Sequence, residues 1–307
     1  MSGRWFGCAL VAAVLPGILA GCDGPESCPK ISPPIEVAAK QEFRPFFFIL
    51  AGDPQMGMGL GGTDADKRRF VELAHQANEL DPAFVLVAGD MVQWQTSREW
   101  RAFDESLKEF RCPTKLVVGN HDLRGNFWTA LRYYRLHYGD DYYVFTHNNC
   151  DFIALNSTVL SLSFREPYRT EARTQWAWLE KALAASKNNG RTHVFIFMHR
   201  PPFMTSEDEY DHSSVWEKQT RKRLLDLARR YGVKVFLCGH IHRSIEAKVN
   251  GLEVYTVAGT AISWLPPGLG YRIFRVYADR VEQQFVRLDH PPDKFDSSEF
   301  PGTPSRQ

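Results

Sequence analysis

The sequence predicts an α/β fold: a four-layer α-β-β-α sandwich of two mixed sheets flanked by helices. Three observations predict it. Short apolar runs without polar alternation, such as Phe46-Phe47-Phe48-Ile49-Leu50-Ala51, read as strands covered on both faces. Helical patterns fall between the first of these runs, and strand–helix–strand order builds parallel sheet. A later block of short runs, one pair joined by the turn signal Asn250-Gly251, reads as further sheet.

The N-terminal segment is read as lying outside the fold. Arg4 supplies a small basic region, and Trp5 to Ala20 is apolar but shorter than the roughly 20 residues that cross a bilayer. Leu19-Ala20-Gly21-Cys22 then resembles a bacterial lipobox, in which cleavage leaves a lipidated Cys22 as the first residue. Residues 1–21 are therefore expected to be a lipoprotein signal peptide. Residues 22–42, with Pro25, Pro29, Pro33 and Pro34, are expected to be a lipidated, extended tether. An ordinary secretory signal or an uncleaved anchor is the alternative. The signal implies attachment to the bacterial cell envelope, facing the periplasm or the exterior. Asp23 after the lipidated position points to the inner membrane.

A domain is expected over residues 43–288. After the first strand, Gly57 to Gly62 is a glycine-rich loop without the Gly-Lys-Ser/Thr ending of a phosphate-binding loop, and it reads as a flexible rim. Thr63 is placed to cap a helix from about Asp64 to Leu80, with Asp66 in its first turn and Phe70, Leu73, Ala74 and Ala77 on one face. Phe84 to Val87 is a strand, Ser97 to Phe110 a helix, and Leu116 to Val118 a strand. Tyr142–Phe145 and Phe152–Leu155 read as a hairpin turning at His147-Asn148-Asn149. Helix (Glu171 to about Ser186), strand (Val194–Met198), helix (Val215–Tyr231) and strand (Val233–Cys238) follow. Ile245–Val249, Val254–Val257, Tyr271–Val276 and Val281–Val286 are expected in a second sheet, and 289–307 as a loosely ordered tail.

Five short polar motifs follow directly on predicted strands: Asp53-Pro54-Gln55, Gly89-Asp90, Gly119-Asn120-His121-Asp122, Met198-His199 and Gly239-His240-Ile241-His242. Open α/β sheets place their ligands at the carboxyl ends of strands. Carboxylate, amide and imidazole groups gathered there suit a pair of divalent cations, which polarise a phosphate and acidify a water. His240 and His242 are two apart, so on an extended segment they would point alike.

In order and residue type these motifs resemble the calcineurin-like metallophosphoesterases, over roughly residues 43–286. The resemblance implies two divalent ions (Mn, Fe, Zn or Mg) and a phosphorylated substrate. Asp53, Gln55, Asp90 and His242 would hold the first ion, and Asp90, Asn120, His199 and His240 the second, with Asp90 bridging. A hydroxide between the metals would attack the phosphate ester. His121 would assist the leaving group and Asp122 would orient its imidazole. Gln55 departs from the His that is common two residues after the first Asp, and its amide is a weaker, harder ligand. That departure, with Gly139-Asp140-Asp141-Tyr142-Tyr143 and Leu155-Asn156-Ser157, resembles the branch typified by the calcineurin-like phosphoesterase domain-containing protein 1, a serine/threonine protein phosphatase. A phosphodiesterase acting on nucleotides or phospholipids, and a non-catalytic metal or phosphate binder, stand as the other readings.

Outside the motifs the signals are weaker. A formal net charge of +1 and the lack of any Lys/Arg block give no indication of a nucleic-acid partner. Arg124 and Arg200 adjoin metal motifs and would either grip substrate phosphate or form structural ion pairs. His212 sits beside the acidic run Ser206–Asp211, which reads as a solvated loop or as a frame for the mouth of the site. Of six cysteines, Cys8 would leave with the signal and Cys22 carry lipid; Cys28, Cys112, Cys150 and Cys238 remain, with Cys238 at a strand end reading as a buried thiol. No Cys-x-x-Cys pair supports a zinc ribbon.

Overall fold

The computed structural model describes residues 32–35, 38–292 and 300. The lipobox, Cys22, Cys28 and most of the expected tail lie outside the described residues. The elements run β1 (Phe46–Ala51), α1 (Gly62–Leu80), β2 (Val85–Val87), α2 (Ser97–Leu107), β3 (Thr114–Leu116), α3 (Phe127–Tyr138), β4 (Tyr143–His147), β5 (Cys150–Leu155), α4 (Ser157–Ser161), α5 (Arg169–Asn188), β6 (His193–Met198), α6 (Lys218–Tyr231), β7 (Val235–Cys238), β8 (Glu246–Val249), β9 (Leu252–Thr256), β10 (Gly270–Val276) and β11 (Val281–Arg287).

Two sheets form, in the orders β11-β10-β1-β2-β3 and β4-β5-β6-β7-β9-β8. In the first, β1, β2 and β3 are parallel and β10 and β11 antiparallel. In the second, β5, β6, β7 and β9 are parallel between antiparallel edges β4 and β8. The strand period of two explains the layering. Phe46, Phe48 and Leu50 of β1 face Phe152, Phe195 and Leu237 of the other sheet, while Phe47, Ile49 and Ala51 join the cluster under the helices. β1 is therefore apolar throughout because both of its faces are covered, whereas the edge strands β8 and β11 carry exposed polar residues.

Several expectations change. β10 and β11 belong to the first sheet, because β10 pairs antiparallel with β1 from Phe46↔Val276 to Leu50↔Arg272; only β8 and β9 join the second. Thr63 lies inside α1 and does not cap it: Gly61, at φ 89°, is the N-cap. Asp66 accepts hydrogen bonds from Gly57 N and Gly59 N at 2.8 and 3.2 Å, so the glycine-rich loop is pinned to α1. The hairpin between β4 and β5 is tighter than expected, turning on Asn148 and Asn149 alone, both at positive φ. Helix α3 had no sequence assignment, although Asn126 caps it through Thr129 N (3.0 Å) and Phe127, Trp128, Ala130, Leu131 and Tyr134 form its buried face.

The described part of the expected tether lies against the body. Trp178 Nε1 donates to Pro33 O at 3.0 Å, and Ile35 packs on the core. Arg191 donates to Ala38 O, and Gln41 N to Asn149 Oδ1 at 3.3 Å. At the other terminus Phe300 is buried on Phe47 and Tyr277. Cys112, Cys150 and Cys238 are free thiols, the last two buried. No helix among the described residues is long and apolar enough to cross a membrane.

Candidate metal centre

The parallel strands of both sheets deliver the five motifs to one edge. The loops after β1 and β2 continue the sheet pairing beyond the strands: Gln55 N donates to Asp90 O (2.8 Å) and Met56 N to Met91 O (3.0 Å). This zips Asp53, Gln55 and Asp90 together. Asp53, Gln55, Asp90, His240 and His242 all have positive φ, and they make up half of the ten non-glycine residues in that region among the described residues. Such conformations cost on the order of 1–3 kcal/mol each and persist where surroundings over-determine them. His240 and His242 therefore reach the site from left-handed backbone, not from the pleat of an extended segment as expected.

Tight backbone approach makes room for these side chains. A Cβ on Gly119 would stand 2.1 Å from Asp90 Oδ1. Gly89, at φ +81°, would place one 2.7 Å from His199 Nδ1. Any larger residue at either position would push a ligand out of place.

Each histidine gives one ring nitrogen to a backbone carbonyl, which fixes its tautomer. His199 Nδ1–H donates to Ala88 O (2.7 Å), His240 Nε2–H to Ser213 O (2.9 Å) and His242 Nδ1–H to Ile262 O (3.1 Å). The remaining nitrogens carry lone pairs. His199 Nε2 and His240 Nδ1 stand 3.1 Å apart, with Asn120 Oδ1 3.1 Å and Asp90 Oδ2 3.2 Å from His199 Nε2. Ligand atoms of Asp90, His199 and His240 all lie within 4.8 Å of one another. Two imidazole lone pairs, a carboxylate and an amide oxygen converging this closely need a cation or proton among them. This donor set suits a borderline divalent metal.

The other half of the centre is built differently. Asp53 is fully buried, and His240 N donates to both its oxygens at 3.1 Å. His242 Nε2 approaches Asp53 Oδ1 at 3.7 Å. Gln55 donates its Nε2 to Gln93 Oε1 at 2.7 Å, which leaves its buried Oε1 without any partner. That orphaned oxygen is the atom an amide ligand would offer a metal, so the residue set fits a cation here as well. Gln93 had no part in the sequence reading. Nothing in Met91-Val92-Gln93 marks it, since a glutamine acquires meaning here only from what it faces.

Electrostatics follow from burial and mutual charge. Burial raises Asp53 to about 6, against the lowering pull of His242 and His199. Burial opposes ionisation of Asp90 too, but His199, His121 and His240 overcome it and hold the carboxyl far below its usual range. Burial alone would depress His199, yet Asp90 and Asp53 raise it to about 9. His240 is driven well below its ordinary value by burial, then by His199 and Arg200.

His121 and Asp122 are adjacent but do not form a pair. Asp122 accepts from Met91 N (2.8 Å), Val92 N (3.2 Å) and Gly119 N (2.8 Å), so it holds the Asp90 and Asn120 loops together. This corrects its expected role in orienting His121. The His121 ring is held instead by Gln93 O, 3.2 Å from Nδ1, and its backbone N donates to Asp90 Oδ1 at 2.8 Å. Burial lowers its pKa, with the Asp90 charge acting in the opposite direction. Arg124 stacks over Trp94, 4.6 Å from the ring centroid, and donates to Gln93 O at 3.4 Å. Arg200 is largely buried beside His240, its Nε without a partner and its Nη1 3.5 Å from Ser161 Oγ. Burial lowers its pKa against the Asp90 charge. The acidic run is mostly structural: Glu209 accepts from Met204 N, Thr205 N and Ser206 N, and Glu207 pairs with Arg229. Its loop nevertheless reaches the centre through Ser213 O.

Two facing sheets thus bring a candidate cation-binding cluster together at their strand ends. Residues 45–244 match the calcineurin-like phosphoesterase family, and the chain belongs to it. It is 32% identical over 275 residues to the serine/threonine-protein phosphatase CPPED1 of Homo sapiens, covering 81% of this chain and 86% of that protein. It is also 26% identical over 182 residues to the 3',5'-cyclic adenosine monophosphate phosphodiesterase CpdA of Escherichia coli K12, covering 59% of this chain and 62% of the relative. Among solved structures, a dimetal phosphatase from Danio rerio shares the fold with a TM-score of 0.61 at 17% identity, over 79% of this chain and 96% of that one. A purple acid phosphatase from yellow lupin aligns with a TM-score of 0.62 at 14% identity, over 82% of this chain and 53% of that one.

Proposed function

We propose that the protein is a phosphomonoesterase with two divalent cations, tethered by lipid to the outer face of a bacterial inner membrane. Asp53, Gln55, Asp90 and His242 would hold one cation, and Asp90, Asn120, His199 and His240 the other. When bound, the pair would neutralise substrate phosphate and lower the pKa of a water. The observation that carries this reading is the facing lone pairs of His199 Nε2 and His240 Nδ1 at 3.1 Å, beside Asp90, together with the orphaned Gln55 Oε1.

The chain's own residues would do the rest. Arg200, with its unpartnered Nε, would take a phosphate oxygen in charge-assisted hydrogen bonds. His121 would deliver a proton to the leaving oxygen from Nε2 as the doubly protonated imidazolium, which the Asp90 charge favours against burial, and would be left neutral with Nδ1–H still on Gln93 O. A groove of about 760 Å³ lies beside the His121 loop, lined by Trp94, Trp100, Arg101, Arg124 and Tyr133 and by none of the candidate metal ligands. The likeness to CPPED1 supports a phosphoserine or phosphothreonine type of monoester.

The test is hydrolysis of aryl phosphate mono- and diesters by metal-stripped protein, alone and with Mn²⁺, Fe²⁺, Zn²⁺ or Mg²⁺. Metal-restored turnover that prefers the monoester is expected. A strong preference for the diester would replace monoesterase by diesterase, and no turnover in folded protein holding fewer than two ions would make the chain a binding module. His121→Ala should lower turnover by roughly 10²-fold or more. The loss should be larger with an alkyl than with a good aryl leaving group; equal losses on both would remove His121 from the proton-transfer step.

A further inference from the structure

The exposed apolar side chains are not scattered. Among the described residues seven large hydrophobic side chains are exposed: Leu60, Trp94, Leu136, Phe164, Tyr210, Trp264 and Leu265. All but Leu136 sit on connections that leave the carboxyl ends of parallel strands, at the edge that carries the metal cluster. The densest group lies beside Asp53 and His242. Leu60 is 92% exposed, Trp264 52% and Leu265 51%. Their two loops touch, since a Cβ on Gly59 would stand 2.4 Å from Ala261 O. Trp264 is fixed by its N–H to His242 O (3.2 Å).

The path of the N-terminal chain supplies a second, independent observation. Ser32 hydrogen-bonds Tyr142, which precedes β4, and the first residue of β4 pairs with Ala154 near the carboxyl end of β5. Ala38 and Gln41 are held by Arg191 and Asn149, at the amino ends of β5 and β6. The described chain therefore runs down the outside of the domain from the metal-bearing edge to the opposite one. Cys22 is ten positions before Ser32 in the sequence, a reach of roughly 35 Å at most. An anchor at Cys22 would enter the body on the side of the metal-bearing edge and leave that edge within reach of the bilayer.

We infer that this edge is a second membrane contact: Leu60, Trp264 and Leu265 enter the interfacial layer of a lipid surface, and the metal centre opens toward it. The inference rests on the lipid-anchored reading above for its geometry, and on exposed side chains for its energy. Trp is favoured at the headgroup level, and Leu contributes by burying apolar area there. Electrostatic attraction contributes less, although exposed Arg243 beside His242 adds a positive charge to this edge. Exposed Arg165, Arg169 and Lys218 on this edge are matched by Glu217, Glu166 and Asp208. Contact should therefore survive salt and need no anionic lipid.

Both sheets close within residues 46–287, so protein beginning at residue 23 keeps the whole body and lacks only the anchor. It would be sedimented with phosphatidylcholine vesicles in 0.5 M NaCl, beside the Leu60→Ser/Leu265→Ser double variant. The expected result is vesicle binding by the parent, weakened roughly tenfold or more in the variant, with aryl phosphate turnover unchanged. Failure of the parent to sediment, equal binding by the variant, or binding only to phosphatidylglycerol vesicles at low salt would overturn the inference. So would a dimer in solution lost in the variant, which would assign the patch to a second copy. Absence of turnover in both proteins would count against the phosphoesterase reading while leaving the sedimentation result decisive for this one.

Discussion

The two edges of the same sheets are built on opposite principles. At the carboxyl edge, loops take left-handed backbone to bring Asp53, Gln55, Asp90, His240 and His242 together, and Gln55 Oε1 stays unpartnered. At the amino edge, Phe46 and Phe84 enclose His147, with ring centroids 4.6 and 5.4 Å away, and Arg191 meets Asp151 at 2.9 Å with both side chains fully buried. One edge tolerates strain and concentrated like charge in order to bind and react. The other pairs opposite charges and packs rings to hold the strands in register, with Asp151 Oδ2 left without a hydrogen-bond partner. Substitutions should divide accordingly: activity without stability at one edge, stability without activity at the other.

The largest effect is expected from Asp90→Asn. Asp90 Oδ2 stands 3.2 Å from His199 Nε2, and Oδ1 takes His121 N at 2.8 Å, an oxygen that Asn can still supply. The fold should survive while the carboxylate charge is lost. Turnover should fall on the order of 10³-fold, the rate equivalent of several kcal/mol of lost charge stabilisation. Bound metal per chain should drop as well. Turnover with each metal, read beside a metal count and a melting curve, checks this; an inactive variant that no longer folds would erase the contrast between edges.

Arg191→Met tests the opposite edge. It strips Asp151 of its cation and removes the donor that holds Asn149 Oδ1 (3.0 Å) and Ala38 O. Breaking one partner of a buried pair costs about 3–5 kcal/mol. Chemical denaturation should show that loss, while turnover of the folded fraction stays within twofold. A large fall in turnover at unchanged stability would mean that the two edges are not separable.

Gln93→Leu sharpens the comparison within the metal edge. It deletes the acceptor at 2.7 Å that holds the Gln55 amide through Nε2 and leaves Oε1 unpartnered, but keeps the backbone carbonyl of residue 93 that holds His121. Partners behind a ligand are worth 10- to 100-fold in metal affinity. About tenfold weaker binding at the Gln55 position is expected, with the second position unaffected, in a two-site metal titration. Equal weakening at both would show that Gln93 acts through general packing.

How far these regions could be read in advance differs for a physical reason. β1, β5 and β6 were legible because unbroken apolar runs mean two covered faces wherever they end up. The ligand types and their positions after strands were legible too, because carboxylate, amide and imidazole chemistry is carried by single residues. Pairing is not local: nothing in Tyr271–Val276 says that its partner is β1 and not β9. Backbone handedness at His240 and His242, the bond from Gln93 to Gln55, and the use of Asp122 as a brace for three amides all depend on what a distant loop presents. Helix α3 escaped for another reason: aromatic residues at helical spacing, directly after a metal motif, look like continuation of a loop.

The smallest effect isolates the amino edge from every group at the centre. Burial lowers the pKa of His147, so the folded state resists its protonation. Below the ordinary imidazole value of about 6.5, the unfolded chain binds a proton that the folded chain does not. Stability should therefore be intact above that pH and fall as pH drops below it, with a slope of at most about 1.4 kcal/mol per pH unit from this one group. His147→Phe keeps an aromatic ring between Phe46 and Phe84 and removes the titration. Denaturation of both proteins from pH 7.5 to 5 should show the parent losing stability faster than the variant, with parallel loss of turnover in the two. Identical stability curves would mean that the amino edge admits a charged imidazole, and that its tolerance of charge is closer to that of the metal edge than its aromatic packing implies.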